Sequence, residues 1–247
     1  MTAIQDEIGE MRGAGYSVLR AHFTPHLIDA CREACSPLFL AYLKRHGSRP
    51  NRGPYRHFLP MSFDPPCFAP QFFFDDTILR IVRGVMDDRV VADQWGCDLA
   101  LPGSEYQAFH LDYRRPLFAE EPGLILPAHA LIVSFALARV TRENGPLEVV
   151  PGSHRVPREE ALRAVDAGGA PVQAVPLDIG DVLIRNPWVL HRGTPNTSGA
   201  PRPLVSIRYV RRWYTDDSRE VDRLPRSVWQ ALTPAQQSLM RFPVGDR

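Results

Sequence analysis

Lysine is almost missing from this 247-residue chain: Lys44 is the single example among 29 basic residues. Arginine supplies the rest, so an arginine cluster taken alone is weak evidence of function. Excess charge is missing as well. The 28 acidic residues leave a formal net charge of +1, which excludes a nucleic-acid partner held by a broad basic face. Cysteine is scarce. Cys31, Cys35, Cys67 and Cys97 form no C-x-x-C pair, too few for a disulfide scaffold, and a reduced, cytoplasmic setting is the expectation. Long apolar runs are lacking too. The longest uncharged stretch, residues 122–138, is broken by Pro127 and His129 and is too short to span a bilayer. Residues 1–7 (MTAIQDE) are acidic where a secretory leader opens basic, so no signal peptide is expected.

What is present is ordinary globular material, 44% hydrophobic and 23% charged, which excludes disorder. With no repeat and no Gly/Ser linker, residues 1–247 read as a single domain with two regimes. Residues 1 to about 90 read as a mainly helical flank. Thr24 caps a helix with Pro25 in its first turn, and Leu27, Ile28, Cys31, Ala34, Cys35, Leu38 and Tyr42 follow at helical spacing. Cys31 and Cys35 share that apolar face and read as core rather than as metal ligands. A second helix is expected over 75–86. From about 90 to 213, short apolar runs at 123–125, 130–137, 147–150, 172–175, 181–184 and 204–210 alternate with Pro, Gly and Asn. This pattern predicts a mainly β jelly roll or barrel. Residues 214 to 247 form a tail that returns to helical spacing.

The chemistry-bearing candidates lie in the β regime. His110 and Asp112 stand two apart, so on a strand they face one side. About one H-x-[DE] tripeptide is expected by chance at this composition, so the pair is weak alone. His191, after the apolar run 181–190, would bring a second imidazole from another strand. Two imidazoles and a carboxylate leave one face of a metal open, as Fe(II) oxygen chemistry requires, and no cysteine is at hand to close a structural zinc site. Arg202, eleven residues further on, opens a strand where a guanidinium can grip a carboxylate at two points. On that strand Arg208 shares the parity of Arg202 and is a candidate substrate contact. Tyr113 is another, at the head of segment 113–122, which lacks periodicity and reads as a lid. His154 is expected to brace a turn, and His129 to be a core residue or to line the pocket.

Residues 144–155 (NGPLEVVPGSHR), Gly180-Asp181 with His191, the spacing from His191 to Arg202, residues 15–19 (GYSVL) and residues 102–112 (PGSEYQAFHLD) together resemble the phytanoyl-CoA dioxygenase family. The resemblance covers nearly the whole chain. It implies a double-stranded β-helix (jelly roll) core with flanking N-terminal and C-terminal helices, and an oxygenase using Fe(II), 2-oxoglutarate and O2. It implies His110, Asp112 and His191 as iron ligands and Arg202 as the anchor of 2-oxoglutarate. Gln107 matches a position that some members use on the same co-substrate, although its parity is opposite to that of His110 and it needs a bulge to point inward. Arg56 falls where several members place a basic residue reaching 2-oxoglutarate, with Arg52 close enough to compete.

Two positions depart from the family pattern: Leu147 stands where some members have a threonine, and Ser134 lies near where a tryptophan is common. Asp112 itself bears on the reaction, since related halogenases replace this carboxylate with a small residue. The reading implied is hydroxylation of an unactivated C–H bond in a small metabolite or natural-product intermediate. Desaturation, ring closure and epimerisation remain open at this level, as does the oligomeric state. Two rivals are a metal-dependent jelly-roll enzyme that ignores 2-oxoglutarate and a jelly-roll binding module without turnover.

Overall fold

The computed structural model describes residues 2–47, 49–112, 125–215 and 223–245. Its centre is a six-stranded antiparallel sheet in the order β1-β7-β4-β9-β3-β2, built from β1 (Tyr16–Leu19), β2 (Arg56–Pro60), β3 (Val90–Ala100), β4 (Ala130–Ala136), β7 (Val182–Arg185) and β9 (Arg202–Arg211). A three-stranded sheet, β6-β5-β8, comprises β5 (Leu147–Val149), β6 (Gln173–Val175) and β8 (His191–Gly193). Both sheets line one cavity of about 840 Å³. This is the jelly-roll core.

Alternation along the strands builds the cavity's two sides. On the outer face of the large sheet, Trp95, Cys97 and Leu99 of β3, Leu131, Val133 and Phe135 of β4, and Val205, Ile207 and Tyr209 of β9 are all buried in one apolar core. The helices α1 (Thr2–Gly13), α2 (Pro25–His46), α3 (Pro70–Phe74) and α4 (Asp76–Val85) contribute to the same core. Phe72 of α3 stacks on Phe135 at 4.4 Å between ring centroids, and such aromatic contacts add about 1 kcal/mol beyond burial. The intervening residues turn inward. Gln94, Asp98, Ile132, Ser134, Leu183, Arg185, Arg202, Leu204 and Ser206 all line the cavity. A wall this polar, facing inward, is expected of a binding chamber rather than a filled barrel.

The helical expectations hold at both ends. Thr24 accepts from the Leu27 amide and caps α2, with Pro25 at its first position, and Asp75 caps α4. The tail forms α6 (Arg226–Ala231) and α7 (Pro234–Leu239). The flank is not helical throughout, since β1 and β2 supply the two edges of the large sheet. The buried stripe of α2 is Ile28, Cys31, Cys35 and Phe39. Leu38, expected in the core, is 45% exposed, because a 3-4-4 spacing from Ile28 selects Phe39 instead. The helix α5 (Arg158–Asp166) follows a 3₁₀ turn over Ser153–Arg155 and packs Ala161, Leu162 and Val165 against Val150 and Leu190. The expected strand over 123–125 and the lid over 113–122 fall outside the described residues, apart from Ile125, which is not in a strand. Among the described residues no helix is long and apolar enough to cross a membrane.

Candidate metal and co-substrate site

His110 lies at the free edge of β8, where its N–H donates to the His191 carbonyl at 2.9 Å and its carbonyl accepts from the His191 N–H at 3.1 Å. This pairing, rather than a continuous strand, places the two imidazoles side by side, with ring centroids 4.4 Å apart. The run 181–190 is not one strand: β7 ends at Arg185, and a turn at Asn186–Val189 carries the chain across to β8 in the other sheet. One candidate ligand atom from each of His110, Asp112 and His191 lies within 4.8 Å of the others.

The donor set suits a divalent metal. His110 Nδ1 lies 2.9 Å from the Ala108 carbonyl and His191 Nδ1 2.8 Å from the Val189 carbonyl. Each carbonyl fixes the proton on Nδ1, so that Nε2 keeps the lone pair a metal needs. Burial, reinforced by neighbouring His191, pushes the His110 imidazole down to about 4. Burial works to raise Asp112, but Arg185 and His191 more than offset it and hold its carboxyl well below the ordinary range. At neutral pH a neutral imidazole and an ionised carboxylate are the ligand-ready forms.

Further down the cavity two buried guanidinium groups converge. Arg202 opens β9 opposite Ala100 of β3, and Arg56 of β2 pairs with the same Ala100 from the other side. Arg56 donates to the carbonyls of Glu105 and Thr194, yet its Nε, like Nε and Nη1 of Arg202, is buried without a hydrogen-bond partner. Burial, then the charge of Arg202, lowers Arg56 to about 10, and burial lowers Arg202 as well. Asp98, one row along the same face, is raised by burial while Arg52 and Arg202 pull it back. Two buried cations beside one carboxylate call for one more anion, since buried donors are otherwise satisfied.

Gln107 bridges this region to the metal end. Its N–H donates to the Gly193 carbonyl at 3.0 Å, and its Oε1 accepts from the Gly193 N–H at 2.9 Å. Two residues separate Gln107 from His110 while one separates Gly193 from His191, so one extra residue is accommodated as a bulge requires. A Cβ on Gly193 would sit 2.7 Å from both Arg56 Nη1 and Gln107 Oε1, so glycine at this position allows both side chains their approach. Between Arg52 and Arg56, Arg56 is the buried one; Arg52 stacks over the Phe58 ring at 5.0 Å to the centroid, and its carbonyl accepts from Gln107 Nε2. The Leu147 and Ser134 side chains both face this cavity.

The remaining candidates lie elsewhere. Arg208 has the inward parity expected of it, but it makes a two-point pair with Asp93, the extra residue of a bulge in β3, and does not line the cavity. Tyr113 lies outside the described residues. His129 is buried against Trp188 and Tyr214, outside the cavity wall, and His154 packs on the turn at Gly15. Sequence reasoning passed over Arg185, Asp98 and Gly193. The available signal was a charged residue ending or interrupting an otherwise apolar run, as in residues 182–185 (VLIR) and 95–100 (WGCDLA).

The Phytanoyl-CoA dioxygenase (PhyH) family profile matches residues 11–204. Dioxygenase af480 of Aspergillus fumigatus is 25% identical over 167 residues, covering 66% of this chain and 52% of that protein. Dioxygenase lolE1 of Epichloe uncinata is 34% identical over 137 residues, covering 54% and 50%. The chain thus spans about half the length of the curated relatives it matches. Among solved structures, the non-heme alpha ketoglutarate dependent carbocyclase SnoK from nogalamycin biosynthesis superposes with a TM-score of 0.65 at 20% identity, covering 83% of each chain. EctD from S. alaskensis with bound Fe superposes with a TM-score of 0.65 at 21% identity, covering 83% of this chain and 75% of that one. These likenesses are of fold.

Proposed function

The chain belongs to the phytanoyl-CoA dioxygenase family, and on that footing we propose that it is an Fe(II)- and 2-oxoglutarate-dependent oxygenase that hydroxylates an unactivated C–H bond of a small metabolite or natural-product intermediate. The observation that carries the reading is the convergence on one cavity of a two-histidine, one-carboxylate donor set and two buried guanidinium groups with unpartnered nitrogens. A 2-oxoglutarate molecule has a chelating end for the first and a distal carboxylate for the second.

His110 and His191 would hold the metal through Nε2, and Asp112 through its carboxylate. When bound, iron(II) with 2-oxoglutarate and dioxygen supplies the oxidising power for C–H cleavage, the co-substrate leaving as succinate and carbon dioxide. The protein's part is orientation. Arg202 would grip the distal carboxylate, Arg56 would neutralise it from β2 on the other side of β3, and Gln107 braces Gly193 so that Arg56 keeps its place. Leu147, Leu183 and Leu204 contribute apolar wall to the same cavity. The presence of Asp112 favours oxygen insertion over halogenation.

The test is an anaerobic titration of the purified protein with Fe(II) and then 2-oxoglutarate, followed by visible absorbance. A weak charge-transfer band requiring both components is expected, and His110→Ala abolishes both the band and 2-oxoglutarate-dependent succinate release. Wild-type succinate yield from His110→Ala would sink the reading.

A further inference from the structure

The two oxygens of Asp112 have different neighbours. Oδ1 lies 3.4 Å from His191 Nε2, on the side where the donor atoms converge, while Oδ2 accepts a hydrogen bond from Arg185 Nη2 at 2.7 Å. Arg185 ends β7, between Tyr16 of β1 and Ile132 of β4, and its side chain is 9% exposed. Its second terminal nitrogen, Nη1, lies 3.3 Å from His191 Nδ1. A nearly buried cation beside a site for a divalent cation is electrostatically costly. Its position makes sense only if the hydrogen bond to the outer oxygen has a use.

Coordination arithmetic supplies one. In an octahedral set, three protein donors and two atoms of 2-oxoglutarate leave a single position for dioxygen. A carboxylate can ligate through one oxygen or through both, and a chelating Asp112 would take that last position. Building on the function proposed above, we infer that Arg185 is a positioning residue that reserves Asp112 for ligation through Oδ1 alone. The charge-assisted bond to Oδ2 holds the carboxylate plane turned away from chelation and leaves the sixth position free. Arg185 touches neither the substrate nor the reacting atoms in this role.

The test needs a readout that does not pass through turnover. Water-proton relaxation of the Mn(II)-loaded protein counts exchangeable inner-sphere waters with the metal as the only probe. Arg185→Met, which keeps the side-chain length, is expected to hold one water fewer than wild type. Arg185→Lys, which restores a cation, is expected to recover the wild-type number. On the Fe(II) and 2-oxoglutarate form, nitric oxide stands in for dioxygen, and its affinity, read from the electron paramagnetic resonance of the adduct, should fall about 10-fold or more in Arg185→Met. Should that variant fail to fold, Arg185→Gln, neutral and too short to reach Oδ2, carries the same expectations. An unchanged water count in a folded, metal-binding Met or Gln variant overturns the inference. A wild-type protein that gives no charge-transfer band with 2-oxoglutarate, but still loses one water on Arg185→Met, overturns the co-substrate reading and leaves the role of Arg185 standing.

Discussion

At the scale of the residue, Arg202 shows how burial turns a common side chain into a specific one. The chain has 29 basic residues, so arginine alone means little. Yet Arg202 keeps two guanidinium nitrogens buried and unpartnered a strand away from Arg56. Arg202→Lys keeps the charge and loses the two-point grip. The apparent affinity for 2-oxoglutarate is expected to fall about tenfold or more, a loss on the order of 1.4 kcal/mol, while Fe(II) affinity stays within about threefold. Both are read from the same charge-transfer titration, and equal loss of the two would make Arg202 a structural residue. The spacing of His110 and Asp112 is weak evidence alone, and it is the resemblance of residues 102–112 and of the His191-to-Arg202 spacing to the phytanoyl-CoA dioxygenase family that makes His110, Asp112, His191 and Arg202 legible in the sequence. Arg185 escaped because its partner, Asp112, lies 73 positions away and meets it only through the pairing of His110 with β8. Asp98 escaped because one acid in an apolar run looks the same whether it meets solvent or two arginines.

Elements are joined here by a few polar ties that local periodicity cannot foresee. Asp181, just before β7, accepts from the Ala21 amide at 2.8 Å, from the Asp178 amide at 2.9 Å and from Arg20 at 2.6 Å. It thereby binds the end of β1 to the start of the strand that carries Arg185. Burial works to raise its carboxyl, but these donors hold it below its ordinary value. Asp181→Ala leaves two part-buried amide hydrogen bonds without their acceptor, and a cost of about 1–3 kcal/mol is expected. Urea unfolding of the metal-free protein measures it, and a change under about 0.5 kcal/mol would show the tie to be dispensable. The same limit explains which elements the sequence yielded. Runs such as 130–137 and 204–210 announce strands by composition, and Thr24 followed by Pro25 announces a helix start by capping chemistry. The edge strands β1 and β2 are four and five residues long and owe their form to the neighbours they pair with. The division of 181–190 between two sheets is likewise set by tertiary pairing, through a turn whose Asn186 caps the Trp188 amide.

For the whole molecule, the histidines set how the fold answers acid. Burial, opposed by the Pro127 carbonyl and helped by Arg211 and Arg208, pushes His129 down to about 4, and His110 is held near the same value. Burial lowers His57 and His154 too. In the unfolded chain these rings titrate near 6.5. Between about 6.5 and 4 the unfolded state therefore binds more protons than the folded one, and stability rises with pH. The contribution is full above 6.5 and is lost as the pH falls towards 4. Asp98 acts in the opposite sense, since its raised folded value favours the folded state as it protonates, and it offsets part of the loss. For His129 alone the loss amounts to about 3 kcal/mol at the acid end, large beside a typical net stability of about 5–15 kcal/mol. His129→Phe, which keeps a ring among Trp188, Trp213 and Tyr214, should therefore flatten the dependence of the urea midpoint on pH between 6 and 4.5. The slope of the unfolding free energy should drop by about 1 kcal/mol per pH unit. Identical slopes for the two proteins would mean that His129 titrates as freely in the folded state as in the unfolded one, and that its burial against the aromatic cluster does not exclude the proton.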